Sequence, residues 1–404
     1  GMGIGLIFWG LAEPLSHFAN PPAYLEGGSG AAAGFAMLHS FFHWGIQPWA
    51  IYIVMSLSIA YFSFRRGMAP LISNAFYPLL GDRVFGGIGQ LINILAVFAT
   101  VFGVVTSLGL GALQINGGLN AVFGLPVGHG SRVIIIVVVT VLYLLSSSTG
   151  LDKGIQILSK TNVMVALFLL GFVFFLGPTS YILNVFTSTL GDYVTEFISL
   201  SLSTKPFEGY QWSKEWTLFY WAWWISWSPF VGLFVAGISR GRTIREFISG
   251  ALLVPALLTF IWFSVFGATG LDLQINQGVD LASTALQEVS VVLFELFEYL
   301  PLGTLLSFVA MLLLGVFFVT SADSATYVLG MMTSGGKLNP PLSKKLIWGI
   351  LQSSAAVALL SSGGLEGLQR MAIVAALPFT LVMVLMMFSL LQALKYEWRY
   401  ERRE

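Results

Sequence analysis

The feature that most constrains this chain is a series of apolar stretches, each long enough to cross a lipid bilayer. A bilayer core about 30 Å thick takes roughly 20 apolar residues in a helix. Ten stretches come close to this length: 1–19, 36–62, 87–113, 133–148, 155–176, 216–238, 247–268, 302–332, 346–361 and 368–394. Only 9% of the residues are charged, against about 25% in soluble domains, so most of the exterior must face lipid. The sequence predicts an all-α integral membrane protein.

The ten predicted spans divide into two sets of five, 1–178 and 214–395. Between them, 179–213 contains an amphipathic stretch at 179–203, and a second such stretch lies at 281–300; both carry acidic residues and are predicted to lie at the membrane surface. An odd number of spans in each half forces the halves into opposite orientations. This is the architecture of inverted-repeat transporters, whose site lies near the midplane. The repeat is inferred from the span count alone.

The basic residues predict an orientation. Fifteen of the 19 Lys and Arg residues fall on one side of the alternating spans: Arg65, Arg66, Arg83, Lys153, Lys160, Arg240, Arg242, Arg245, Lys337, Lys344, Lys345, Lys395, Arg399, Arg402 and Arg403. Only Arg132, Lys205, Lys214 and Arg370 fall on the other side. Because cytoplasmic loops carry an excess of basic residues, the first side is predicted to be cytoplasmic, including the tail 396–404. The net charge of zero offers no case for nucleic-acid binding.

Glycines and ionisable groups inside spans are the first candidate functional features. Gly1, Gly3 and Gly5 weaken the first helix, which indicates either close helix packing or an unwound stretch whose carbonyls coordinate a cation. Glu13 and Asp323 are acids within spans, which are costly there and are usually functional, although a structural role for Glu13 fits equally well. None of the four histidines has a metal-binding spacing.

Tryptophan is the strongest signal in the sequence. Trp49 and Tyr52 lie three residues apart, and Trp223 and Trp227 four apart, so each pair shares a helix face. Aromatic rings that face inward can hold a cation lacking hydrogen-bond donors, each ring contributing about 0.5–2 kcal/mol. A lysine or sugar site would need carboxylates or amides at that depth, and none is evident in these segments. The alternatives are interfacial tryptophans and ordinary packing of a membrane core.

Several long segments together resemble the betaine/choline/carnitine transporter family. The longest is WTLFYWAWWISWSPFVGLFVAGISRGRTIREF at 216–247, and the others are HWGIQPWAIY, GMGIGLIFWGLAEPL, ATVFGVVTSLGLGALQI and VTSADS. The resemblance implies a LeuT-like inverted-repeat core, a homotrimer in the bacterial inner membrane, and a twelve-helix parent. The ten spans would then be helices three to twelve, with an N-terminal part absent from this chain.

The resemblance also implies site residues. The family's aromatic box falls on Trp44, Trp49, Tyr52 and Trp224, with Trp221, Trp223 and Trp227 as further candidate contacts. The helix-face argument favours Trp223 with Trp227, whereas the resemblance favours Trp224 for the box.

Two sodium sites are implied in the same way. One would use the carbonyls of Met2 and Phe317 with the hydroxyls of Thr320 and Ser321. The second would use Thr100 and Phe230, but Val104 stands where the family has another threonine and offers no oxygen ligand. The expected function is sodium symport of a quaternary-ammonium osmolyte, most simply glycine betaine, by alternating access.

Other functions stay open at this point. A proton-coupled choline carrier or a solute exchanger could use the same scaffold, and an ion channel could use the same polar stretch. An intramembrane enzyme is not expected, because the sequence shows no paired catalytic acids, metal motif or nucleophile–base pair.

The predicted orientation can be tested because the chain contains no cysteine. A cysteine introduced by Lys205→Cys should react with a membrane-impermeant thiol reagent on intact cells. One introduced by Arg242→Cys should react only after the cells are permeabilised. The unsubstituted chain is the control and should not be labelled. Labelling of Arg242→Cys in intact cells would contradict the orientation.

Overall fold

The computed structural model describes residues 2–149 and 152–401, a part of the chain built of helices without a β-strand. The α-helices are α1 (Met2–Ala19), α2 (Gly30–Trp44), α3 (Ile46–Ala60), α4 (Tyr77–Leu80), α5 (Gly87–Phe123), α6 (His129–Thr149), α7 (Asp152–Leu176), α8 (Thr179–Leu202), α9 (Tyr210–Glu215), α10 (Thr217–Ile238), α11 (Ile244–Asn276), α12 (Leu281–Gln287), α13 (Val292–Glu298), α14 (Gly303–Met332) and α15 (Leu342–Glu401). A π-helical turn, Tyr61–Arg65, extends α3, and 3-10 turns at Ile72–Phe76 and Gly81–Phe85 flank α4.

Eight helices in the described residues are long and apolar enough to cross a membrane. Seven of them each coincide with one predicted span, and the eighth, in α15, contains the last two. Those two are separated at Gly364, whose φ of 55° and ψ of −139° interrupt the helix. The first predicted span is α1, which is not among the eight. An all-helical membrane protein is therefore confirmed, whereas the count of ten and the inverted repeat stay predictions.

The start of α1 is helical, so the prediction of an unwound glycine stretch is wrong for residues 2–19. The glycines there allow close packing instead. A Cβ atom on Gly3 would lie 2.9 Å from the Phe317 ring, and one on Gly5 would overlap Trp223 and lie 3.0 Å from Trp44. Small residues at these positions let α1 approach α14 and α10, as is common where membrane helices pack.

The two amphipathic stretches differ. The first is the single helix α8, which packs on α2 and α11. The second is not one helix: it forms α12 and α13, and most of their apolar side chains are buried against α1, α14 and α5. Its apolar side chains therefore pack into the bundle, and the prediction of a single helix is wrong for this stretch, while its position relative to the membrane stays a prediction.

Helix α10 lies at the centre of the bundle and contacts α3, α5 and α15. Its close approaches again use glycine. Gly103 of α5 lies against Ser226, and Gly232 lies against Met55 of α3, so that a Cβ atom at either position would overlap its neighbour. Fixing α10 between these helices determines where its tryptophans point.

The packing role of Gly5 predicts an outcome. Gly5→Ala should destabilise the protein by about 1–3 kcal/mol, the usual cost of overpacking, measured as a lower thermal unfolding midpoint in detergent. The matched control is Gly34→Ala in α2, where a Cβ atom would meet nothing within 4 Å. It should be neutral or stabilising by up to about 1 kcal/mol. Equal midpoints for the two variants would contradict the packing assignment.

Candidate functional site

A break between α2 and α3 places two of the predicted site tryptophans. Pro48 has no N–H, so the carbonyl of Trp44, four residues earlier, lacks its usual helical partner. The Thr259 hydroxyl of α11 donates to that carbonyl at 2.8 Å. The N–H of Ile46, just past the break at Gly45, donates to the Tyr193 hydroxyl of α8 at 3.0 Å. The predicted span 36–62 is thus two helices, with Trp44 ending one and Trp49 in the first turn of the next.

Four of the predicted side chains form an aromatic cluster, which we define as Trp44, Trp49, Tyr52 and Trp224. Trp224 is its centre: its ring centroid lies 5.6 Å from that of Trp44, 5.5 Å from Trp49 and 4.9 Å from Tyr52. Trp49 and Tyr52 lie 5.6 Å apart, nearly edge to face. The structure therefore brings together the four residues that the family resemblance implies.

The cluster faces the protein interior. Trp224 is fully buried and Tyr52 is 2% exposed, while Trp49 is half-buried. Within the part of the chain that the structure describes, the indole N–H groups of Trp49 and Trp224 and the hydroxyl of Tyr52 are buried without a hydrogen-bond partner. Buried polar groups normally have hydrogen-bond partners, so these three groups beside the rings are available to bind a ligand.

The other three predicted tryptophans are not part of the cluster as defined. The indole N–H groups of Trp223 and Trp227 both donate to the Ser107 hydroxyl of α5, at 3.3 Å and 2.9 Å. This pair does share a helix face, but that face turns toward α5. Trp221 packs on Phe42 and His43 instead of the cluster. The ring of Trp223 also packs edge to face on Trp44, with centroids 6.0 Å apart, whereas the helix-face argument does not lead to Trp49 and Tyr52.

A buried carboxylate, that of Glu13, contacts the cluster at Trp44. Glu13 Oε2 accepts hydrogen bonds from Trp44 Nε1 at 2.8 Å and from the Tyr220 hydroxyl at 2.5 Å. Glu13 Oε1 lies 2.7 Å from His43 Nδ1 and 3.1 Å from His17 Nε2. These three acidic and imidazole groups could ligate a metal by type and spacing. Both carboxylate oxygens, however, are already engaged by two groups each.

Sequence reasoning missed this network. The conclusion that no carboxylate lies at the depth of the aromatic rings is wrong, because Glu13 is fully buried and bonded to Trp44. The four-residue spacing of Glu13 and His17, which places both on one helix face, was the available signal. Nothing in the sequence shows that His43 and Tyr220 converge on the same carboxylate.

Two cavities approach the site from the end of α10 that carries Ile238. One of about 390 Å³ extends from Trp49 and Tyr52 to Arg242 and Glu246. The other, of about 900 Å³, is lined by Phe230, Asp323 and Ser324 among others. Ile238 lines both. The aromatic cluster and the segment after Thr320 are thus approached from one end of the bundle, the end predicted to be cytoplasmic.

The residues predicted for the first sodium site lie on α1 and α14, which contact each other at Gly3 and Phe317. The Thr320 hydroxyl donates to the Val316 carbonyl at 2.8 Å, and both Thr320 and Ser321 are largely buried. A hydroxyl that donates still has lone pairs for a cation. The Met2 carbonyl, by contrast, lies within the first turn of a regular helix.

The second predicted site is poorer in oxygen. The Thr100 hydroxyl is buried and donates to the Ala96 carbonyl at 2.8 Å. Phe230 packs its ring on Trp227, with centroids 4.9 Å apart. Val104 is 2% exposed and presents only methyl groups. The side chains predicted for this site supply one hydroxyl.

Comparison with known proteins shows which transporters this chain is similar to. Residues 1–399 match the family model described as BCCT, betaine/carnitine/choline family transporter. The chain is 51% identical to the glycine betaine transporter OpuD of Bacillus subtilis over 99% of its length and 78% of that protein. It is 47% identical to the ectoine/hydroxyectoine transporter of Virgibacillus pantothenticus (96% and 77%). It is 44% identical to glycine betaine transporter 1 of Vibrio parahaemolyticus (98% and 77%).

Proposed function

The chain belongs to the betaine/carnitine/choline transporter family, and on this basis we propose that it imports a quaternary-ammonium osmolyte, glycine betaine first of all. The family consists of transporters, so the chain is a membrane transporter and not an enzyme. Two of the similar proteins named above are glycine betaine transporters, and one transports ectoines. The choice among solutes rests on the site.

The aromatic cluster is the observation that carries the proposal. A trimethylammonium group donates no hydrogen bonds and is attracted to the electron-rich faces of aromatic rings. The rings of Trp49, Tyr52 and Trp224 contact one another at centroid distances of 4.9–5.6 Å. A methylated head that enters between them must turn at least one ring aside, so solute binding is coupled to side-chain movement.

The unpartnered polar groups favour betaine over choline. Glycine betaine carries a carboxylate, which accepts hydrogen bonds, next to its methylated nitrogen. The buried N–H groups of Trp49 and Trp224 and the hydroxyl of Tyr52 can all donate to it. Choline has a single hydroxyl in that place and would satisfy fewer of these groups.

We also propose coupling to sodium through the first of the two implied sites. The Thr320 and Ser321 hydroxyls and the Phe317 carbonyl are the hard oxygen ligands that a small cation prefers, with the Met2 carbonyl as the fourth implied ligand. The second site lacks a threonine at Val104, so the proposal rests on the first. Transport would proceed by alternating access, since the cavities reach the site from one end while the Glu13 network packs the other.

The family resemblance supports two further expectations. The assembly is proposed to be a homotrimer in a bacterial inner membrane, with the C-terminus in the cytoplasm. The three similar transporters named above are all from bacteria.

Removing the central ring should weaken solute binding. Trp224→Leu should raise the Kd for radiolabelled glycine betaine by roughly 2- to 30-fold, which corresponds to the loss of about 0.5–2 kcal/mol from one cation–π contact. Trp221→Leu is the matched control, because it makes the same change on the same helix outside the cluster and should alter the Kd less than twofold. Equal effects of the two substitutions would contradict the site assignment.

Coupling can be measured in proteoliposomes. Saturable betaine uptake should require an inward sodium gradient and stop when potassium replaces sodium. Thr320→Ala and Ser321→Ala should raise the sodium concentration needed for half-maximal uptake. Ser324→Ala is the control, because that hydroxyl donates to the Thr320 carbonyl at 2.8 Å and is not an implied ligand.

The other coupling modes give different results in the same experiment. Uptake driven by a pH gradient alone would indicate a proton-coupled carrier. Uptake that needs only internal solute would indicate an exchanger, and current without solute would indicate a channel. Any of these results without sodium dependence would refute the sodium proposal.

A further inference from the structure

Glu13 is a fully buried carboxyl group that forms no ion pair with a Lys or Arg among the described residues. An ionised carboxylate only accepts hydrogen bonds and has about four acceptor sites. Glu13 has four partners: Trp44, Tyr220, His43 and His17. These four partners are enough to fill the acceptor sites of the ionised form.

The two histidines differ in the partner of their second ring nitrogen. If His43 Nδ1 donates to Glu13, its Nε2 can accept from the Thr217 hydroxyl, 2.9 Å away. Nδ1 of His17 is buried without a partner, so a proton there would leave a buried donor unsatisfied. Among the residues that the structure describes, no Lys or Arg forms an ion pair with Glu13. In the described part of the chain, no lysine or arginine therefore offsets the charge of the Glu13 carboxylate.

The Glu13 carboxylate contacts the aromatic cluster through one side chain, Trp44. Trp44 donates its indole N–H to Glu13 Oε2, and its ring packs against Trp224, nearly perpendicular to it. A hydrogen bond to an anion draws the N–H proton outward and enriches the indole π-system in electron density. Because the interior has a low dielectric constant, such polarisation is stronger than in water. An electron-richer ring attracts a cation more strongly.

We propose that Glu13 determines specificity for a positively charged head by acting through Trp44, which it both orients and polarises. This inference rests on the proposed quaternary-ammonium function. The solute's fixed positive charge then interacts with the Trp44 ring that Glu13 polarises, without contacting Glu13 itself. Molecules of the same shape whose head group is uncharged gain nothing from Glu13.

A double-mutant cycle tests the route through Trp44. The Kd for radiolabelled glycine betaine is measured on purified full-length chains carrying Glu13→Gln, Trp44→Phe or both. Glu13→Gln should raise the Kd about tenfold. Phe has no N–H to donate, so adding Glu13→Gln to Trp44→Phe should cause no more than a twofold further increase. Independent effects that multiply in the double variant would overturn the proposal.

A matched control separates this bond from the rest of the network. Tyr220→Phe removes the other donor to the same Glu13 oxygen and leaves the Trp44 bond in place. It should change the Kd less than threefold, and a loss as large as that of Glu13→Gln would contradict a route through Trp44. Should Glu13→Gln not fold, Glu13→Asp replaces it in the cycle. Its shorter side chain withdraws the carboxylate from Trp44 and should give an intermediate increase that Trp44→Phe abolishes.

An isostere with an uncharged head group distinguishes the effect of charge from a purely structural role. In 3,3-dimethylbutanoate a tert-butyl group replaces the trimethylammonium of betaine while the carboxylate is kept. The ratio of the inhibition constants of the two compounds should fall at least fivefold in Glu13→Gln. If Glu13→Gln lowered the affinity for both compounds by the same factor, Glu13 would have only a structural role and the proposal would be overturned. If the unsubstituted chain binds no betaine, the proposed function itself fails; if it binds betaine and Glu13→Gln binds it equally well, only this inference fails.

Discussion

Every backbone N–H and C=O group inside a bilayer must find a partner within the protein, because lipid tails offer none. The structure depends on this constraint most visibly at Gly45, where α2 ends and α3 begins. Pro48 removes the N–H that Trp44 would need, and the side chains of Thr259 and Tyr193 satisfy the freed groups. The aromatic cluster exists because this break is stabilised from outside: α11 and α8 hold the ends on which Trp44 and Trp49 sit.

Features of the fold that depend on neighbouring residues in the sequence could be predicted, whereas those that depend on contacts between distant helices could not. Spans such as 87–113 and 302–332 were found because twenty apolar residues suffice to define them. The break at Gly45 was not, since Gly-Ile-Gln-Pro reads as part of one apolar run unless the partners from α8 and α11 are known. The glycines at the start of α1 fit two structures equally well, and only the positions of Phe317, Trp223 and Trp44 decide for close packing.

The candidate site shows the same limit. Three- and four-residue spacings identified pairs of aromatic residues on common helix faces, but not which face meets which neighbour. Trp224 was assigned through family resemblance, while the Trp223–Trp227 pair turned out to meet Ser107. Glu13, by contrast, meets groups from α2 and α10 that lie 30, 31 and 207 positions away along the chain. Only tertiary structure could show that one carboxylate joins three helices at the back of the cluster.

The joint at Gly45 has a mechanical consequence. A continuous helix resists bending because many main-chain hydrogen bonds must lengthen together. At Gly45, side-chain hydrogen bonds bridge the break instead, and they can change direction while the main-chain hydrogen bonds within each helix stay intact. Thr259 and Tyr193 supply these side-chain hydrogen bonds, and each comes from a different helix. Pivoting α3 there would carry Trp49 and Tyr52 together away from Trp44, which ends the preceding helix. Capture and release of a solute would then require a hinge movement and no unfolding.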